Sequence, residues 1–377
     1  MTSPLRVLQV VTKMERGGLE TFIMNMYRNI DRLRIQFDFL YHRNGCFAYD
    51  NEIKELGGRI YHVPQCNPFS FRYIKMVNNF FLQHPYQVVH SHIDCMSALP
   101  LAAAKRHGVA VRIAHSHSSR QDKDFKYPLK LICKRFIRRE ATDLFACGVD
   151  AGRWMFNTDD FIVVNNAIDV DTYEFDYNRR ICMRRELGIS GDTLVVGHVG
   201  RFAPAKNHEF ILDVFSEVVR LCSDSILILA GDGDLRLEME HKAEVLGIAD
   251  NVLFLGVRPD VPSLMQAMDV FLMPSVYEGL PLVLVEAQAA GLPCLISNSI
   301  PCDCNFKGSV LARKSLAESP SSWAAALVSM RVKDARRATG VTVVREAGFD
   351  AKVEAGRLAG FYLERLEGGY NERRIIN

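Results

Sequence analysis

Nowhere does the sequence hold the roughly 18 uninterrupted apolar residues that a membrane-spanning helix requires. It also lacks an excess of either charge. Lys and Arg number 46 against 44 Asp and Glu, so a net charge of +2 gives no global field that would argue for nucleic acid. No paired cysteines stand at zinc-finger spacing, since Cys302 and Cys304 form a lone C-x-C among ten scattered cysteines. Cys133, Cys147 and Cys294 lie inside apolar segments, where a reduced, buried thiol is the ordinary state. Repeats and low-complexity tracts are missing as well. The opening MTSPLRVLQVV has a single Arg and a short apolar run, which reads as a first strand and not as a secretory signal. A reducing cytoplasm is the expected compartment. What remains is an ordinary globular composition, 48% apolar and 24% charged, over 377 residues. That length suits two domains of about 100–200 residues each.

Short apolar runs alternate with helix-length segments. RVLQVV (6–11), QFDFLY (36–41), RIYHV (59–63), QVVHSH (87–92), VRIAHSH (111–117), LFACG (144–148) and FIVVNNA (161–167) read as strands. Apolar residues at three- and four-residue spacing predict helices over 18–30, 70–83 and 96–107. The pattern dissolves into polar sequence over 168–192. It restarts with TLVVGHVG (193–200), SILILAGDG (225–233), NVLFLG (251–256), DVFLMPS (269–275) and LPCLIS (292–297). Such alternation implies parallel strands with helical crossovers. The expected fold is α/β: two doubly wound, Rossmann-like domains facing each other across a cleft, divided as 1–178 and 179–359. Ligands of such sheets sit beyond the carboxyl ends of strands, so functional residues should follow strands directly.

Several do. In GHVGRFAPAKNHEF (197–210), Gly197 and Gly200 let backbone approach a ligand, while Arg201 and Lys206 supply cations beside a helix N-terminus. That combination suits a diphosphate. In SVYEGLPLVLVEAQAAG (275–291), Glu278 lies just before a helix that begins near Pro281, and Glu286 lies on its second turn. Backbone N–H groups of Gly279, Leu280 and Leu282 would face an anion there. Carboxylates would repel that anion, so they more reasonably accept hydrogen bonds from hydroxyl groups. A diphosphate flanked by two polyols, as in a nucleotide sugar, meets both demands. In GGLE (17–20), Gly17 and Gly18 open a helix after the first strand, and His115 and His117 end another strand on one side. Each also has an ordinary reading: a solvated loop, a helix-surface acid, a plain strand–helix turn, a structural histidine.

Taken in order with NNAID (165–169), these segments resemble the family-four glycosyltransferases of the GT-B fold over nearly the whole chain. The most specific part is the E-x7-E block from Glu278 to Glu286, and the likeness is greatest to the capsular and exopolysaccharide branch. The resemblance implies a retaining, metal-independent enzyme without cofactor that uses a nucleotide sugar, UDP-linked by family habit, as a hexosyl- or N-acetylhexosaminyltransferase. The acceptor would be a glycan or lipid-linked saccharide. Arg201 and Lys206 would hold the diphosphate, Glu286 the ribose hydroxyls and Glu278 the donor sugar. Gly18 and Gly200 would lie against the diphosphate, with Gly17 near the sugar or acceptor. His117, or else His115, would touch the transferred sugar, and Val257 and Arg258 would meet the nucleobase. A last helix, 360–377, would return to the N-terminal domain. Two departures stand out: Ala167 replaces the usual glycine of an N-G-I-D turn, and Asp234 replaces a proline after G-D-G. The second creates a formal D-x-D at Asp232–Asp234, but Arg201 and Lys206 already provide countercharge, so no metal is expected.

Residues 123–140 carry Lys126, Lys130, Lys134, Arg135, Arg138 and Arg139 against Phe125, Leu129, Ile132, Cys133, Phe136 and Ile137. As a helix this is a basic amphipathic surface suited to anionic lipid, or else an ordinary packed helix with solvated lysines. A lipid-linked acceptor would place it at the inner face of the plasma membrane. Two other functions share the fold: a nucleotide-sugar epimerase and a non-catalytic nucleotide-sugar-binding partner protein.

Overall fold

Strands that are apolar on both faces need cover on both sides, and βαβ crossovers supply it. The computed structural model describes residues 3–118, 127–278, 280–332 and 334–368. Its chain divides into two units, Met1–Ala167 with Ala351–Asn377, and Ile168–Asp350.

The first unit is built on β1 (Leu5–Val11), β2 (Ile35–Tyr41), β3 (Ile60–His62), β4 (Val88–Ser91), β5 (Val111–Ser116), β6 (Asp143–Ala146) and β7 (Ile162–Val163). All pair in parallel, in the order β3-β2-β1-β4-β5-β6-β7. Successive strand residues enter opposite cores, as the two-residue period demands. Val7, Phe39 and Ile113 pack with Phe22, Ile23 and Tyr27 on one face, whereas Leu8, Leu40 and Ala114 pack with Tyr73, Val77 and Leu101 on the other. The second unit has β8 (Leu194–Val199), β9 (Ser225–Ala230), β10 (Val252–Gly256), β11 (Val270–Met273), β12 (Cys294–Ser297) and β13 (Leu311–Lys314). They too are parallel, ordered β10-β9-β8-β11-β12-β13.

The order reverses direction between β1 and β4 in one sheet and between β8 and β11 in the other. Those are the two topological switch points, where a doubly wound sheet opens a crevice at its carboxyl edge. The opposite edge of the second sheet is closed by a different device. Buried Asp269 accepts from Arg180 at 2.5 Å and from Arg184 at 2.8 Å, while buried Arg337 donates to the carbonyls of Met265, Met268 and Ala290. These charges are saturated by partners at the amino end of β11, which makes them structural.

Two sequence expectations shift, and one strand is new. The division falls at 167/168 and not at 178/179, because Ile168 pairs with Asp350 and Val170 and Tyr173 join the second unit's core. The return helix starts at Ala351, before the expected 360, and places Ala355, Leu358 and Tyr362 in the first unit's core. Residues 369–377 of that expectation lie outside the described residues. Edge strand β13 (LARK) was not anticipated; its four residues are all only partly buried, so it lacks the apolar run that marks its neighbours.

Candidate active site

Both switch points are lined by residues that follow strands. After β8, the loop Gly200–Asn207 leads into the helix His208–Leu221, with Asn207 in the left-handed region as its cap. After β11, the loop Pro274–Pro281 leads into the helix Leu282–Ala289. The two loops are laced together. Val276 N–H donates to the Ala205 carbonyl at 2.8 Å, and the Asn207 side chain donates to the Pro274 carbonyl at 3.2 Å. Lys206 Nζ then meets Glu278 Oε1 at 2.6 Å, both groups half-buried. Each partner holds the other's rotamer. A polyanion arriving beside Lys206 would share its charge and leave Glu278 able to accept hydroxyl hydrogen bonds.

Arg201 lies on the same loop, exposed, with no ion-pair partner among the described residues. Close backbone contact fixes its position. Gly231 has φ +141°, and a Cβ there would strike the Gly200 carbonyl; a Cβ on Gly233 would meet the Phe202 carbonyl at 2.5 Å. The β9 turn thus presses directly on the β8 loop, with Phe202 N–H donating to the Asp232 carbonyl at 3.0 Å. Asp232 and Asp234 are exposed, and the Asp232 carboxylate accepts from the N–H of Gly233.

Pro281 precedes the helix Leu282–Ala289 as its cap, Leu282 is buried at its first turn, and Leu280 is half-buried in the loop. Gly279 lies outside the described residues. Glu286, on the second turn, accepts from Tyr173, and burial pushes its carboxyl up to about 7. Tyr173 was not singled out from sequence; it stands in the polar stretch where periodicity fails. Val257 is exposed just after β10, but Arg258 is held by Asp260 at 2.6 Å and Glu186 at 3.3 Å. The Arg258 guanidinium is thus committed to acids in its own neighbourhood.

The first unit's switch point is of another kind. Gly17 caps the helix Gly18–Asn29 in extended conformation; a Cβ on it would collide with the Glu20 carboxylate, whereas one on Gly18 would meet open space. His115 and His117 do project together, their rings stacked at 4.0 Å. Two further histidines join them from β4 and its end, His90 and His92. The signal was present as a repeated H-S-H, VVHSH (88–92) and AHSH (114–117), but only the second was singled out. His115 is 1% exposed, which removes it as a ligand contact, while His117 is half-buried at the strand end. Burial lowers all four pKa values, that of His117 to about 3, so the cluster is neutral at pH 7. Nitrogens of His90, His92 and His115 lie within 4.8 Å of one another, close enough to hold a metal ion. Ala167 has no positive φ and its carbonyl accepts from Asn25 at 3.1 Å, so this turn does not require the usual glycine.

Of the basic segment, residues 123–126 lie outside the described residues. The rest forms the helix Tyr127–Glu140, whose apolar residues divide: Cys133 and Ile137 enter the core, whereas Ile132 and Phe136 are exposed. No helix among the described residues is long and apolar enough to cross a membrane.

Two doubly wound units in tandem, one carrying at its switch point a Lys–Glu pair, a second acid and an arginine with no ion-pair partner among the described residues, form the architecture of the GT-B glycosyltransferases. The family described as "Glycosyltransferase Family 4" matches residues 16–172, and "Glycosyl transferases group 1" matches residues 180–306. The chain is 38% identical over 383 residues to EpsF of Bacillus subtilis, a candidate glycosyltransferase, covering 98% of this chain and 99% of that one. It is 27% identical over 224 residues, 56% of this chain and 58% of the other, to the UDP-Gal:alpha-D-GlcNAc-diphosphoundecaprenol alpha-1,3-galactosyltransferase of Escherichia coli. The crystal structure of Anabaena HepE in complex with UDP superposes with a TM-score of 0.79 at 18% identity, covering 96% of this chain and all of that one. The chain belongs to the family-four glycosyltransferases.

Proposed function

We propose that this glycosyltransferase moves a hexosyl or N-acetylhexosaminyl group from a UDP-sugar to a glycan or lipid-linked saccharide in capsular or exopolysaccharide synthesis, with retained anomeric configuration and no metal. The observation that carries the reading is the 2.6 Å Lys206–Glu278 pair at the β8/β11 switch point, with Arg201 on the same loop lacking an ion-pair partner among the described residues. Arg201 and Lys206 hold the diphosphate beside the N–H groups of Leu280 and Leu282, with side-chain-free Gly200, whose own N–H is spent on the Ala230 carbonyl, letting it come close. Glu286 accepts the ribose hydroxyls and Glu278 those of the donor sugar. Val257 and the backbone of Arg258 serve the nucleobase, Gly17 and Gly18 the phosphate and sugar side, and His117 the transferred sugar. The acceptor oxygen bonds to the anomeric carbon as the bond to the diphosphate breaks, and its proton passes to the departing phosphate oxygen. Fixed cations aimed at that developing charge are worth about 10²–10³ in turnover each.

Uridine follows HepE, which was solved with UDP, and a polyprenyl-diphosphate acceptor follows the Escherichia coli relative. With such an acceptor, exposed Ile132 and Phe136 among the basic residues of Tyr127–Glu140 would rest on the inner face of the plasma membrane. The test is product analysis in EDTA with UDP-sugars and lipid-linked acceptors. A glycosylated acceptor with the donor's anomeric configuration is expected. An altered free nucleotide sugar would indicate an epimerase, and tight donor binding without turnover a binding protein. Either would overturn the assignment.

A further inference from the structure

The hydrogen bonds among the four clustered histidines fix where the protons of His92 and His117 sit. Gln9, on β1, offers its carbonyl oxygen to His92 Nε2 at 2.8 Å, so His92 carries its proton on Nε2. His92 Nδ1 is then an acceptor, and His117 Nε2 lies 2.8 Å from it. His117 must donate there, which strips its Nδ1 of hydrogen. A second pair runs alongside. The Tyr362 phenol lies 2.7 Å from His90 Nδ1, and His90 Nε2 lies 3.1 Å from His115 Nδ1.

One amide therefore orders the first pair, and His92 and His117 take the Nε2–H form. Turning the Gln9 amide over would force both into the Nδ1–H form, which a free histidine side chain disfavours. His117 Nδ1 therefore ends its pair as a buried acceptor, and neither it nor His115 Nε2 has a partner among the described residues. Both nitrogens are covered, but His117 as a residue is half-buried whereas His115 is 1% exposed.

From this we infer that Gln9 and His92 are positioning residues that lock His117 as a hydrogen-bond acceptor for a hydroxyl of the transferred sugar. This rests on the proposed role of His117 toward that sugar. Neutral rings suit the task, since an imidazolium at His117 would have no lone pair to offer.

The full-length protein labelled with 15N-histidine, observed by long-range 1H–15N correlation at pH 7, tests the order without reference to turnover. His92 and His117 are expected as neutral Nε2–H tautomers. In Gln9→Met, which keeps an apolar filling but removes the amide, His117 should shift to mixed tautomers. Turnover should fall about tenfold, the value of one substrate hydrogen bond, at unchanged affinity for UDP. Should Gln9→Met fail to fold, His92→Phe cuts the same chain one step later and is read identically. His117 in the Nδ1–H form in the parent, or unmoved in the variant, would overturn the relay. A tautomer shift with full turnover would overturn the sugar contact and leave the hydrogen-bond order standing. Stoichiometric Zn2+ uptake that erases the His90, His92 and His115 N–H signals would replace the relay with a metal centre.

Discussion

Glu286 is a carboxyl group whose surroundings oppose its charge, because burial pushes it up to about 7. A folded-state pKa above the unfolded 4.5 means the folded protein holds the proton more tightly, so this group lowers stability progressively as pH rises from about 4.5 to about 7. Ribose hydroxyls would favour the ionised form. Nucleotide affinity, measured by titration calorimetry from pH 5.5 to 8.5, should therefore strengthen through about 7, and Glu286→Gln should flatten that step and bind more weakly. The histidine cluster has the opposite sign. Its folded values lie below the ordinary 6.5, so its contribution is intact above 6.5 and is lost as pH falls towards them. The first unit should thus lose thermal stability steeply between pH 6.5 and 5, with His117→Gln showing a shallower slope. Lys206 and Glu278 are each still reached by solvent, so Lys206→Ala should cost only about 1 kcal/mol of stability. Its turnover should nevertheless drop by about 10²-fold or more. These residues were legible in sequence because their types and their places after strands already limit the chemistry. Their pairing was not, nor was the hydrogen-bond order of the histidines, where Tyr362 reaches His90 across 272 positions of chain.

At the scale of elements, two loops are held together by the absence of side chains. Gly231 combines a left-handed φ of +141° with contact against the Gly200 carbonyl. Gly231→Ala adds about 1–3 kcal/mol of backbone strain and pushes the β8 loop aside. Both the melting temperature and UDP affinity should fall, whereas Gly188→Ala, also at positive φ but with nothing near its Cβ, should lower the melting temperature alone. Most strands were legible from their apolar runs, from LRVLQVV to SILILA. Edge strand β13 was missed, because an edge buries too little to write a period into the sequence, and β7, read over 161–167, is only two residues long. The helix Tyr127–Glu140 shows the converse error. Its apolar residues look like one face by composition, but Cys133 and Ile137 belong to the core and Ile132 and Phe136 do not.

At the scale of the molecule, the α/β alternation and the restart near residue 193 revealed two units, but the joins could not be placed. Ile168 bonding to the Phe349 carbonyl is a contact between distant segments that no local pattern signals. Ending the chain at residue 350 should strip the first unit of Ala355, Leu358, Phe361 and Tyr362, so limited proteolysis should digest it while leaving 168–350 protected. The central claim concerns the second unit, that Arg201 and Lys206 bind a diphosphate. Calorimetric titration of uridine and of UDP in EDTA, on the parent and on Arg201→Ala, tests it most directly. UDP should bind the variant about 10- to 100-fold more weakly, as for a lost charge-assisted hydrogen bond, with uridine affinity unchanged. Equal losses for both ligands, or none for UDP, would contradict it.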